Sequence, residues 1–185
     1  MAQGMWRTLL LLLAALLSGC SQPAPDAEPD PPPPSLPLAP WEAPPLSSAD
    51  VPAVYVDQWR QAENRDSCAI LAPRSLGQRQ GATPRAATFS GGWAVAYDLP
   101  DVRSAFGVAG AGVRAADPSY SDWPYRQQWR DGSTVGYGPE GGTGPNQLAY
   151  LRIPGQGCLY NIWSRLAREH LELLIRELRW VEIEP

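Results

Sequence analysis

Trp93-Ala94-Val95-Ala96-Tyr97 and, after the turn Asp98-Leu99-Pro100-Asp101, Ala105-Phe106-Gly107-Val108-Ala109 form the stretch that decides the fold. Large and small residues alternate with a period of two, which is the signature of strands and not of helices. Paired antiparallel across the turn, residues 93–97 and 104–113 put Trp93, Val95, Tyr97, Phe106 and Val108 on one face. Ala94, Ala96, Ala105, Gly107 and Ala109 are left on the other. A face so bare invites the close approach of a helix, and the small-residue face is therefore the expected seat of one.

Downstream, Asp131-Gly132 between residues 127–130 and 134–137 is a two-residue hairpin signal. Residues 138–146 form a Gly-Pro loop, and residues 148–153 and 158–163 read as further strands. Ser164 is a candidate N-cap for a helix whose apolar stripe runs through Leu166, His170, Leu171, Leu174, Ile175 and Leu178. Arg165 with Glu169 and Glu172 with Arg176 are i,i+4 pairs on its polar face. Residues 180–183 end the pattern as a strand. The fold class is α+β: a mainly antiparallel β-sheet with one C-terminal α-helix packed on it.

Upstream the pattern is weaker. Val54-Tyr55-Val56 favours a strand, while Val51, Tyr55, Trp59 and Ala62 fall at helical spacing, so both readings stand. Residues 68–71 read as a short buried strand stopped by Pro73, and residues 77–84 as a loop. Eleven prolines crowd residues 22–46, including the run 31–34. Such a tract is a semi-rigid spacer, extending about 3.1 Å per residue in polyproline II geometry. The chain divides into a leader at 1–19, a tether at 20–49 and a globular α+β domain at 50–185.

The leader carries an attachment signal. Residues 1–7 hold a single positive side chain, Arg7, and residues 9–17 are an uncharged Leu-Ala block, shorter than the roughly 20 apolar residues a membrane span needs. The block closes on Leu17-Ser18-Gly19-Cys20, an aliphatic residue, two small residues and a cysteine. In this the chain resembles bacterial lipoprotein precursors. The resemblance implies cleavage before Cys20, acylation of Cys20 and a membrane lipid as partner; two or more acyl chains hold firmly where one does not. In enteric-type lipoproteins Ser21 after the cysteine implies the outer membrane, with the domain facing the periplasm; in a Gram-positive source the same anchor would sit on the outer face of the only membrane.

Composition narrows what the domain can do. All 15 basic residues are Arg, and from Asp50 onward 14 Arg face 15 Asp plus Glu. That near-neutral balance argues against a nucleic-acid partner. With Cys20 acylated, Cys68 and Cys158 remain as a pair, and in an oxidising compartment an even remainder points to a disulfide. One histidine, His170, leaves too few ligands for a metal site. No cofactor is expected.

No motif names a reaction. Gly110-Ala111-Gly112-Val113-Arg114-Ala115 fits Gly-x-Gly-x-x-Ala, but Asp117-Pro118 interrupts the helix a dinucleotide fold requires. A Ser hydrolase would need His170, which lies on the apolar stripe of a helix as a structural residue does. Asp98 with Asp101, or Asp117 with Asp122, are near in sequence but lie in turns that favour Asp anyway. The suggestive cluster is aromatic: Tyr120, Trp123 and Tyr125 in a Pro-containing segment, Trp129 at the start of the next strand, and Arg126 and Arg130 among them. These six residues form either a surface for a protein or glycan or a plug for one end of the sheet. The leading expectation is a non-enzymatic binding or structural module of the envelope. The alternatives are a carboxylate-dependent hydrolase of envelope polymers and an anchored immunity protein against a secreted toxin.

Overall fold

The computed structural model describes residues 35–77, 81–112, 123–142 and 145–184. The lipobox with Cys20, most of the tether, Tyr120, Asp117, Asp122 and residues 113–115 of the glycine motif lie outside the described residues. Among the described ones the order is β1 (Leu46–Ser47), α1 (Ala53–Gln61), β2 (Leu71–Pro73), β3 (Thr83–Ala86), β4 (Trp93–Leu99), β5 (Val102–Gly112), β6 (Tyr125–Gln128), β7 (Thr134–Pro139), β8 (Gln147–Arg152), β9 (Cys158–Ser164), α2 (Arg168–Glu177) and β10 (Leu178–Glu182). The fold is α+β, as the patterning predicts.

Seven strands form an antiparallel sheet in the order β3-β4-β5-β9-β8-β7-β6, and a small second sheet runs β1-β10-β2. The decisive pair forms with Trp93 opposite Gly110, Val95 opposite Val108 and Tyr97 opposite Phe106. One face of the large sheet therefore carries Trp93, Val95, Tyr97, Phe106, Val108, Tyr160, Ile162, Ala149 and Leu151.

Both helices cover that bulky face, which reverses the expected seat of α2. His170 meets the Phe106 ring edge-on at 4.8 Å, and Leu171 and Leu174 share one buried cluster with Trp93, Val95, Phe106 and Val108. From α1, Tyr55 lies 6.1 Å from the Trp93 ring and 6.5 Å from Tyr97. Area decides the matter: an aromatic side chain buries about 150–250 Å², at roughly 25 cal/mol per Å², and an alanine methyl offers far less. Close approach to a bare face cannot compensate for leaving Trp93, Tyr97, Phe106 and Tyr160 in water. Ala105 also departs from expectation and joins the core cluster. Before it the β4–β5 register shifts, and Ser104 takes a left-handed φ of 50°.

In the ambiguous segment the helical period prevails. Val51, Tyr55 and Ala62 are buried, and the Trp59 indole donates to the Cys68 carbonyl at 2.9 Å. At the other end, Ser164 is not the cap of α2. It still pairs with Phe106 in the sheet, and Arg165 N–H continues to the Ala105 carbonyl, so the chain cannot turn helical until Arg168. Arg165 thus falls outside the helix, and the ion pair that forms with Glu172 comes from Arg168, at 3.5 Å.

The β6–β7 turn spans residues 129–133, wider than two residues, and is organised by Asp131. Its carboxylate accepts the Ser133 N–H at 2.9 Å, the Ser133 hydroxyl at 2.8 Å and the Trp41 indole N–H at 2.8 Å. Burial opposes ionisation there, but those hydrogen bonds outweigh it and hold the carboxyl below its ordinary pKa. Packing begins upstream of Asp50, because Ala39 and Trp41 are buried and Leu46 pairs with Val181. The expected Cys68–Cys158 disulfide is present, tying the segment before β2 to the first residue of β9.

Candidate functional site

Of the six residues singled out by sequence, Tyr120 lies outside the described residues, and the other five do not form one surface. Tyr125 and Tyr137 are register partners on the helix-bearing side, where their rings stack at 5.4 Å. The Arg168 guanidinium lies 4.6 Å from the Tyr125 centroid, and the Tyr137 hydroxyl donates to Glu172 at 3.1 Å. Trp123 packs on the opposite face, 5.5 Å from the Tyr150 ring. Trp129 does not begin a strand; it lies inside the β6–β7 turn, 2% exposed, edge-on to Trp41 at 4.9 Å. Arg126 is exposed on β6, and exposed Arg130 reaches Glu42 at 3.6 Å. Trp129 is therefore core, the plug reading, while Trp123 and Tyr125 occupy opposite faces.

The concavity with chemistry in it lies on the face the helices leave. On β8 and β9, Leu148, Tyr150, Asn161 and Trp163 alternate away from the core, with Leu148 opposite Trp163 and Tyr150 opposite Asn161. Together with Phe89, Ser104, Glu140, Asn146, Gln147, Ser164 and Arg165 they line a cleft of about 430 Å³. Trp163 spreads over Gly107, where a Cβ would come within 2.2 Å of its ring, and its other neighbour is Phe89, stacked at 6.0 Å. Glycine at 107 is thus what lets the indole lie flat across the sheet. Trp123 against Tyr150 prolongs the aromatic row past the cleft's margin.

The Trp163 ring is held in place by a polar clamp. Its indole N–H donates to the Ser104 carbonyl at 3.3 Å. The unusual Ser104 backbone is fixed by Asp98, which accepts the Ser104 N–H at 2.6 Å, and by Arg85, which donates to both the Ser104 hydroxyl and Asp98. Residues held at sparsely populated dihedrals concentrate at functional sites, where the surrounding contacts over-determine them. The Arg85 hydrogen bond, followed by that of Ser104 N–H, keeps the Asp98 carboxyl below its ordinary value. The stabilisation is full above the unfolded Asp value of about 3.9 and is lost as pH falls through the lower folded value. Asp98→Asn should accordingly be less stable than the wild type at neutral pH, with the gap in urea midpoint closing as both are titrated into acid.

Ser164 and His170 are hydrogen-bonded, with Oγ 3.0 Å from Nδ1. Ser164 is fully buried and its oxygen also takes the Leu166 N–H at 3.1 Å, so the pair fastens the β9-to-α2 turn and presents no nucleophile. His170, 4% exposed, is a structural histidine as its stripe position predicts. Among the described lining residues Glu140 is the single carboxylate. Among the described residues no group of three or more His, Cys, Asp or Glu could hold a metal ion, and no helix is long and apolar enough to cross a membrane.

The sequence reading missed Trp163, Asn161, Tyr150 and Phe89. A signal existed for two of them: in the alternating run 158–163, Asn161 and Trp163 share the parity opposite the core residues Tyr160 and Ile162. A polar residue and an aromatic side by side on a strand's outer face are what a binding surface looks like in sequence. Compared with protein-family models, with curated proteins and with solved structures, the chain matches none.

Proposed function

We propose that this chain is the precursor of a lipid-anchored envelope lipoprotein whose domain is a non-enzymatic binding module, held by acylated Cys20 in the outer membrane and facing the periplasm. The observation that carries the reading is the Cys68–Cys158 disulfide. It fits an oxidising compartment, and it leaves Cys20, at the end of the lipobox, as the one unpaired cysteine of three. The proline tract between Cys20 and the first packed residues would stand the domain off the bilayer. The cleft supports binding over catalysis, since its described lining offers aromatic rings and amides around a single carboxylate and lacks the facing pair of acids that hydrolysis by carboxylates requires.

The test is mass spectrometry of the mature N-terminus together with fractionation of Cys20→Ala. The expected result is an acylated cysteine at position 20 and loss of the variant from the membrane fraction. An unmodified Cys20, or a variant that stays with the membrane, would overturn the proposal.

A further inference from the structure

We infer that the cleft on the outer face of β8 and β9 binds a neutral glycan segment, with the Phe89–Trp163 pair as the aromatic wall against which one pyranose ring packs. The inference rests on the reading of the domain as an envelope binding module and names the ligand class that its cleft would take. About 430 Å³ is the capacity of a ligand of one to two sugar rings and lies within the ordinary range of small-molecule sites.

The lining selects among ligand chemistries. Its charges are one Glu140 and one Arg165, which balance, whereas a phosphate or polyanion asks for converging cations. A lipid chain asks for apolar walls throughout, and here Asn146 and Asn161 interrupt them. What remains is a molecule with one apolar face and a rim of hydroxyls. A pyranose is such a molecule: its axial C–H groups lie on an aromatic face, and its equatorial hydroxyls point outward to amides, which donate and accept, and to a carboxylate, which accepts.

A further observation points the same way. Trp163 is pre-positioned by the Arg85–Asp98–Ser104 clamp, so binding would not have to order its most important side chain.

The experiment is titration of the purified full chain, in a zwitterionic detergent free of sugar headgroups, with N,N′-diacetylchitobiose and with cellobiose. Binding is followed by tryptophan fluorescence and calorimetry. Saturable binding of at least one disaccharide is expected, unchanged between low and high salt because the ligand carries no charge. Trp163→Ala should weaken it by roughly tenfold, the size of one aromatic contact. Asn146→Ala, in a loop outside the core, should weaken it with circular dichroism and urea midpoint unchanged, which separates lost contact from lost fold. Absence of saturation with both sugars, or equal affinity in wild type and both variants, would overturn the inference, and strong salt dependence would overturn the neutral-ligand assignment. Acylation of Cys20 is measured independently, so an anchored protein that ignores both sugars refutes the glycan and leaves the lipoprotein reading standing.

Discussion

Replacing Cys68 or Cys158 by serine will lower the free energy of unfolding by about 4 to 5 kcal/mol. The bond closes a loop with a sequence separation of 90, and in the chain-entropy description a cross-link of that span removes about this much from the denatured ensemble. Domains of this size are stable by only about 5–15 kcal/mol, so the substitution should bring the domain close to unfolding at physiological temperature. Urea denaturation of oxidised wild type against each serine variant measures the loss. Thiol counting on denatured, unreduced wild type should find neither cysteine free, and two free thiols would refute the bond.

The same bond explains a glycine that sequence alone leaves unexplained. Gly110 opens the Gly-x-Gly-x-x-Ala run, whose resemblance to a dinucleotide turn fails in sequence because Asp117-Pro118 interrupts the helix it would need. In the fold it lies mid-sheet opposite Trp93, and a Cβ there would stand 2.5 Å from the Cys68 sulfur and 2.6 Å from the Trp93 indole nitrogen. The residue is small because a disulfide and an indole occupy the space above it. A motif of glycines can thus arise from packing, and only the third dimension separates the two causes.

What was legible follows the reach of each signal. The β4–β5 pair is local, and the alternation of Trp93, Val95 and Tyr97 with alanines gives both strand type and face. The α2 stripe is equally local, as is the parity of the cysteines. Which face α2 covers is not local, because it depends on the summed area of residues from four strands, β4, β5, β8 and β9, and intuition about close approach pointed the wrong way. The cleft is the least legible feature of all. Its wall draws on residues 89, 104, 140, 146–148, 150, 161 and 163–165, from four separated segments with no shared period. Trp123, at its edge, was found from composition; Trp163, at its centre, looked like any aromatic at the end of a strand.

Trp129→Ala should cost about 3 to 5 kcal/mol, the range for deleting a fully packed tryptophan, and will show whether the aromatic segment is core or surface. The indole is 2% exposed and meets Trp41 edge-on, while Trp41 is in turn pinned by Asp131 of the same turn. Arg130 adds a backbone bond to Pro37 at 2.9 Å. The end of the proline-rich tract is therefore docked on this turn as well as against β10 and α2, and losing Trp129 removes one of the surfaces on which residues 37–42 rest. Tyr125, 38% exposed, provides the contrast: Tyr125→Ala forfeits a ring stack and a cation–π contact at an accessible site, together about 1 kcal/mol. Urea midpoints at constant m-value give both numbers. Because the two indoles share one packing site, Trp41→Ala and the double variant should be strongly non-additive, the double costing well under the sum of the singles. Additive losses, or a Trp129→Ala penalty no larger than that of Tyr125→Ala, would mean that Trp129 does not anchor the tether's end to the domain.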